Sequence, residues 1–117
     1  MKRFTQIAAL GMTIAFTPAI AADDLGNAAI FQKDWAKAEV QLRAELAVAP
    51  DEPMRLLNLA YVVQQQGRAA EAAELYKKVL AARSNPMLAV GPDGKVKGMR
   101  AKAVAGKGIE LIQSAQR

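Results

Sequence analysis

Apolar side chains recur along much of this chain at steps of three and four residues, the spacing of helices that bury one face. Trp35, Ala38, Leu42, Leu46 and Ala49 follow that step, while Lys37, Glu39, Arg43 and Glu45 fall largely elsewhere, so the pattern predicts a helix over 34–48. Asp34 is its expected N-cap, and Glu39 stands four residues before Arg43, the favourable order for a surface ion pair. Pro50-Asp51 ends this helix, and a second is expected over about 52–66, with Asp51 as N-cap and Pro53 in the first turn, where a missing N–H costs nothing. Leu56, Leu59, Ala60 and Val63 form one apolar stripe of that helix, with Leu57, Tyr61 and Gln64 on an adjacent one. Gly67 then stands where the chain must turn through a left-handed conformation.

A third helix is expected over about 69–82, turning Ala72, Leu75, Tyr76, Val79 and Leu80 inward and Glu71, Glu74, Lys77 and Lys78 outward, and Asn85-Pro86 closes it. Residues 87–98 lack the helical period. Gly91-Pro92-Asp93-Gly94 has the residue order of a type I turn, and its flanks read either as a short hairpin or as an irregular connector. The period returns over 99–116, with Ala101, Val104, Gly108, Leu111 and Ala115 in step and Ile109 and Ile112 beside them; Gly106 and Gly108 each weaken a helix by about 1 kcal/mol relative to alanine.

The units are also related to each other. Leu25, Gln32, Ala36, Ala38, Leu46 and Ala47 recur 34 residues later as Leu59, Gln66, Ala70, Ala72, Leu80 and Ala81, so 19–52 and 53–86 read as two copies of one helix-turn-helix unit. Such units bury their apolar faces by stacking on neighbours, and they usually bind partners rather than transform them.

In residues 53–86 the chain resembles the tetratricopeptide repeat family. The family's large, Leu, small, large opening falls on Leu56, Leu59, Ala60 and Val63, its turn glycine on Gly67, its small residue on Ala72, its aromatic on Tyr76 and its closing small-then-Leu pair on Val79 and Leu80. The signature Trp and Tyr of the first helix are replaced by Leu56 and Val63, and the closing Pro falls two residues late, at Pro86. The preceding copy matches at Leu25, Gly26, Ala38, Leu42, Leu46 and Pro50, but Lys33 stands where the turn glycine belongs. The resemblance implies an all-α fold of helix-turn-helix repeats over 23–86, the first truncated, followed by a connector over 87–98 and a capping helix over 99–117. It also implies a concave binding groove, whose lining falls by phase on Met54, Leu57, Tyr61, Gln64 and Gln65 of the second copy and on Asn27, Ile30 and Phe31 of the first. The groove would take an extended peptide or protein segment; the alternative is that other parts of the assembly cover this surface as core. Self-association through the shortened N-terminal end would supply a missing neighbour, because arrays of this kind generally need at least three units.

The N-terminus carries a different signal. Lys2 and Arg3, an apolar run from Ile7 to Phe16, Pro18 and the small residues Ala19-Ile20-Ala21 have the three-part layout of a secretory signal peptide over 1–22. The mature product is then expected to be exported, periplasmic or secreted, and soluble. The chain has no cysteine, so neither disulfides nor a lipid anchor at cysteine can contribute, and stability must come from packing.

Charge adds an alternative reading. The formal net charge is +5, and the excess sits late in the chain: 22–86 carry eight Lys/Arg against nine Asp/Glu, while 87–117 carry six against two. Arg100, Lys102 and Lys107 on the last helix could therefore attract an anionic membrane or polymer, although no aromatic residues are interleaved as nucleic-acid binding would favour. Chemistry is sparse. There is no His or Cys, and beyond the leader the only hydroxyl nucleophiles of the Ser/Thr type are Ser84 and Ser114, neither in a motif that supplies a base. Asp23-Asp24 and Asp51-Glu52 read as helix-start acids. The sequence thus predicts a non-enzymatic binding module without metal or cofactor.

Overall fold

The computed structural model describes residues 25–117, with the side chains described from Asn27 onward. The expected leader over 1–22 and the start of a mature chain lie outside the described residues. Five helices follow in order, α1 (Leu25–Phe31), α2 (Trp35–Val48), α3 (Pro53–Gln65), α4 (Ala69–Ala81) and α5 (Ala101–Ala115), and no strand occurs among the described residues. Each helix packs on its neighbour in sequence, and α3 additionally meets α1 and α5. The core is correspondingly continuous: Ala29 and Ile30 of α1, Ala38 and Leu42 of α2, seven side chains of α3, four of α4, and Ala101, Ala105, Gly108 and Ile112 of α5 are buried. None of these helices is long and apolar enough to cross a membrane.

The helix starts follow local chemistry, with one correction. Asp34 caps α2 as expected, its Oδ1 accepting from the Lys37 N–H at 3.3 Å. At α3 the cap is Glu52 rather than Asp51: its carboxylate accepts from the Met54 N–H at 3.0 Å and the Arg55 N–H at 3.1 Å. The reason is Pro53, which lacks an N–H and is preset for the first helical position, so the residue immediately before it becomes the cap.

The two copies share their backbone turn. Lys33 N–H donates to Ile30 O and Asp34 N–H to Ala29 O; 34 residues later Gly67 N–H donates to Gln64 O and Arg68 N–H to Val63 O. Gly67 has φ +84°, and Lys33, standing where a glycine was expected, nevertheless has φ +59°. The left-handed conformation costs a residue with a Cβ about 1–2 kcal/mol, and at Lys33 the two flanking hydrogen bonds offset it. Ala38 and Ala72, also 34 apart, are both fully buried, as small residues at helix crossings should be.

An ion network then fixes copy one against copy two. Glu39 of α2 meets Arg43 at 2.7 Å and Arg68, at the start of α4, at 2.6 Å, while Arg43 reaches across to Glu71 of α4 at 2.6 Å. The Arg68 hydrogen bond, joined by those from Gln66 and Arg43 and opposed by burial, lowers the Glu39 carboxyl to about 2 from an ordinary 4.5. A depressed carboxyl contributes stability that is present above its unfolded value and lost as pH falls through its folded one. Glu39→Gln is therefore expected to cost about 1–2 kcal/mol near neutral pH, a figure reduced for solvent screening, with the deficit shrinking as pH falls from 4.5 toward 2. Urea melts of both proteins across that range measure it; a deficit that does not change with pH would show that the carboxylate charge is not what holds the network.

The stretch 87–98 is neither a regular hairpin nor shapeless. Met87 and Arg100 form one isolated antiparallel bridge, Leu88 N–H donates to Met99 O at 2.8 Å, and Gly91 N–H to Val96 O at 2.7 Å. At the tip Gly94 N–H donates to Gly91 O, and Asp93 Oδ1 accepts from Lys95 and Val96 N–H, which is the turn its residue order predicts. Leu88 anchors this loop in the core. Asn85 does more than end α4: its Oδ1 accepts from the Lys102 N–H at 3.0 Å and caps α5 from across the loop.

Three expected inward positions differ. Leu80 is 40% exposed, Leu111 is 64% exposed, and Ala115 also faces solvent. On α5 the buried face is rotated to Ala101, Ala105, Gly108 and Ile112, because Gly108 is set against the Tyr76 ring and the other three positions share its side of the helix.

Candidate functional site

Folding the loop back over the helices builds a cleft of about 460 Å³. One wall comes from α1, with Asn27, Ile30 and Phe31; the floor from Leu42 and Glu45 of α2 and Met54, Arg55 and Asn58 of α3; the opposite wall from Ala89, Val90, Gly91 and Pro92 of the loop. Its apolar lining includes the buried Ile30 and Leu42 and two residues left open to solvent, Phe31 at 68% and Val90 at 44% exposure. Asn58 Nδ2 donates to Asn27 Oδ1 at 3.1 Å, tying α3 to α1.

The polar floor is a charge cluster. Arg55 pairs with Glu45 through Nε and with Glu52 through Nη1 at 2.8 Å. The hydrogen bonds that Arg55 donates to Glu52 and Glu45 raise its guanidinium further, so it stays charged. Burial pushes the Glu52 carboxyl up, but the Met54 N–H and the Arg55 side chain and N–H outweigh it, leaving the group below its ordinary value. Glu45 differs: one oxygen holds Arg55, while Oε2 is buried and has no hydrogen-bond partner among the described residues. An ionised carboxylate oxygen accepts and cannot donate, so only an N–H, O–H or ammonium group could satisfy it.

Of the eight groove residues expected from the sequence, Asn27, Ile30, Phe31 and Met54 come together in this cleft. Leu57 does not, and here the expectation is corrected: it is fully buried in the cluster that also contains Leu88, Ala101 and Ala105. Tyr61 is half-buried, its ring edge-on to Trp35 at 5.9 Å, and burial together with the Asp93 charge raises its phenol. Gln64 is committed within the protein, its Oε1 accepting from the Tyr76 hydroxyl at 2.7 Å, and Gln65 lies exposed outside the cleft lining.

Phase alone could have found part of this. Met54, Asn58, Tyr61 and Gln65 stand four, three and four apart and share one line along α3, whereas Leu57 and Gln64 lie some 60–80° around the helix. Asn58 was therefore recoverable from spacing. Glu45, Arg55 and the loop residues were not, because they join the site only through contacts between elements. Ser84 and Ser114 are exposed, with no side-chain hydrogen bond, and no group of three potential metal-ligating residues occurs among the described residues. The cleft lining thus combines exposed apolar side chains at Phe31 and Val90, the Asn27–Asn58 amide pair and the Glu45 and Arg55 charges. The chain matches no protein-family model, no curated protein and no solved structure.

Proposed function

We propose that this chain is a small binding module of tetratricopeptide-like helix pairs, capped by α5, that holds an extended peptide segment of a protein partner in the cleft between α1, α3 and the 87–98 loop. The 34-residue register of the two turns, in sequence and in backbone hydrogen bonds, supports the repeat reading. The observation that carries the binding reading is that the exposed apolar Phe31 and Val90 line the same cleft as Glu45, whose buried Oε2 has no hydrogen-bond partner among the described residues. An extended peptide offers both complements, an apolar side chain for the mouth and a backbone N–H or a lysine for the carboxylate. Export by way of the N-terminal leader would place this activity in the periplasm or outside the cell.

Phage-displayed random peptides selected on the immobilised protein provide the test. Selected peptides are expected to bind the protein at low and high salt, and to lose at least about tenfold in affinity with Phe31→Glu and Val90→Glu, which act at exposed positions and keep the helical signal. Equal binding to both variants would place recognition elsewhere. Binding that vanishes at high salt would instead favour the basic last helix with Lys102 and Lys107 as an attractor of anionic surfaces.

A further inference from the structure

The outer face of α2 is wrong for a surface. Ala36, Val40, Ala44, Ala47 and Val48 fall within about 120° of one another on the side opposite the buried Ala38 and Leu42, and all five are exposed, Val40 to 70% and Val48 to 87%. The second copy shows what this face looks like when water covers it. Adding 34 places Glu74 at the position of Val40 and Lys78 at that of Ala44, and Glu74 there pairs with Lys77 at 3.1 Å. Two units share one register and one turn, yet only the first carries an apolar stripe outward.

We propose that this stripe is a self-association surface, on which α2 of a second copy of this chain packs antiparallel about a twofold axis near Ala44. Alanine at the axis lets two helices approach closely, and the antiparallel register then sets Val40 of one copy against Val48 of the other. Charge selects this partner and this direction. Lys37 stands near the start of the stripe and Asp51 just beyond its end, neither has an ion pair among the described residues, and the same register brings each beside its opposite on the other copy. Arg43, at the edge of the stripe, is already neutralised by Glu39 and Glu71 and does not oppose the approach. A face on one helix of 14 residues, about 21 Å long, is smaller than the roughly 800 Å² per partner of a stable interface. The dimer is accordingly expected to be weak and reversible, with a dissociation constant of about 10–100 µM.

Sedimentation equilibrium of the full chain over a concentration series through that range is expected to show mass rising from monomer to dimer. Val40→Glu with Ala44→Lys, which copies the charges of the second unit, is expected to weaken dimerisation at least tenfold with unchanged circular dichroism. Val48→Lys, at a still more exposed position, is expected to do the same and covers the case in which the double variant folds poorly. Lys37→Asp is expected to weaken the dimer, and combining it with Asp51→Lys in one chain to restore it. Because the chain has no cysteine, Ala44→Cys gives an independent readout: mild oxidation is expected to yield a covalent dimer, and Lys78→Cys at the equivalent place on α4 is expected to yield none. A monomer at every concentration, a dimer indifferent to Val40, Ala44 and Val48, or equal crosslinking at both cysteines would overturn the proposal.

Discussion

Leu57→Glu is expected to unfold the protein, with loss of most of the far-ultraviolet helical signal and of a cooperative urea transition. Leu57 is fully buried at the middle of α3, the helix that touches every other helix of the fold. Removing a buried leucine costs about 2–5 kcal/mol, and a carboxylate left there without a partner adds its desolvation, so the total exceeds about 4 kcal/mol. A domain this small has little more than that in hand. Phe31→Glu is the companion measurement: at 68% exposure it leaves the helical signal and the urea midpoint close to those of the parent. A folded Leu57→Glu protein would mean that α3 is turned differently and that Leu57 does face a groove.

Gly108→Ala is expected to lower stability by about 1–3 kcal/mol, although helix propensity alone favours alanine by about 1 kcal/mol. A Cβ built at Gly108 stands 2.5 Å from Tyr76 Cζ and 2.6 and 2.9 Å from the two Cε atoms of the same ring. The ring has little room to yield. Tyr76 is buried in the core, and its hydroxyl donates to Gln64 at 2.7 Å on α3; burial also raises its phenol well above the ordinary value. Either α5 lifts away or the hydrogen bond breaks. Gly106 on the same helix meets nothing within 4 Å, so Gly106→Ala is expected to gain about 0.5–1 kcal/mol. Urea midpoints moving in opposite directions for two glycines on one helix would establish that α5 docks by glycine contact; a rise in both would exclude it.

The helices were legible in the sequence because their signals are local. Asp34, Pro53 and Gly67 act within a few residues of themselves, through a capped N–H, a preset φ and a left-handed turn, and the elements begin and end within two residues of where those signals put them. The turns were legible too: Lys33 and Gly67, 34 residues apart, both take positive φ, and Ala38 and Ala72, at the same spacing, are both buried. Even so, local reading placed the cap of α3 one residue early, and it treated Gly108 as a weakness of α5 when the Tyr76 ring requires it.

What the sequence by itself determined is the set of helices, their turns and the apolar side of each, because a side chain's period and its immediate backbone partners are set by neighbours in the chain. The tertiary structure alone decided which of those apolar sides meet. It turned Leu57 into core, rotated α5 from Leu111 to Ile112, and brought Val90 and Pro92 over Glu45 and Arg55 to make a cleft. The Gly91–Gly94 turn foretells that 87–98 doubles back, but nothing in its spacing foretells where the loop docks, since Asn85 meets Lys102 across stretches with no shared period. Periodicity records how a helix divides between oil and water; which surface supplies the oil is settled by packing among elements distant in sequence, where volume, ring position and unpaired carboxylates must all be reconciled at once.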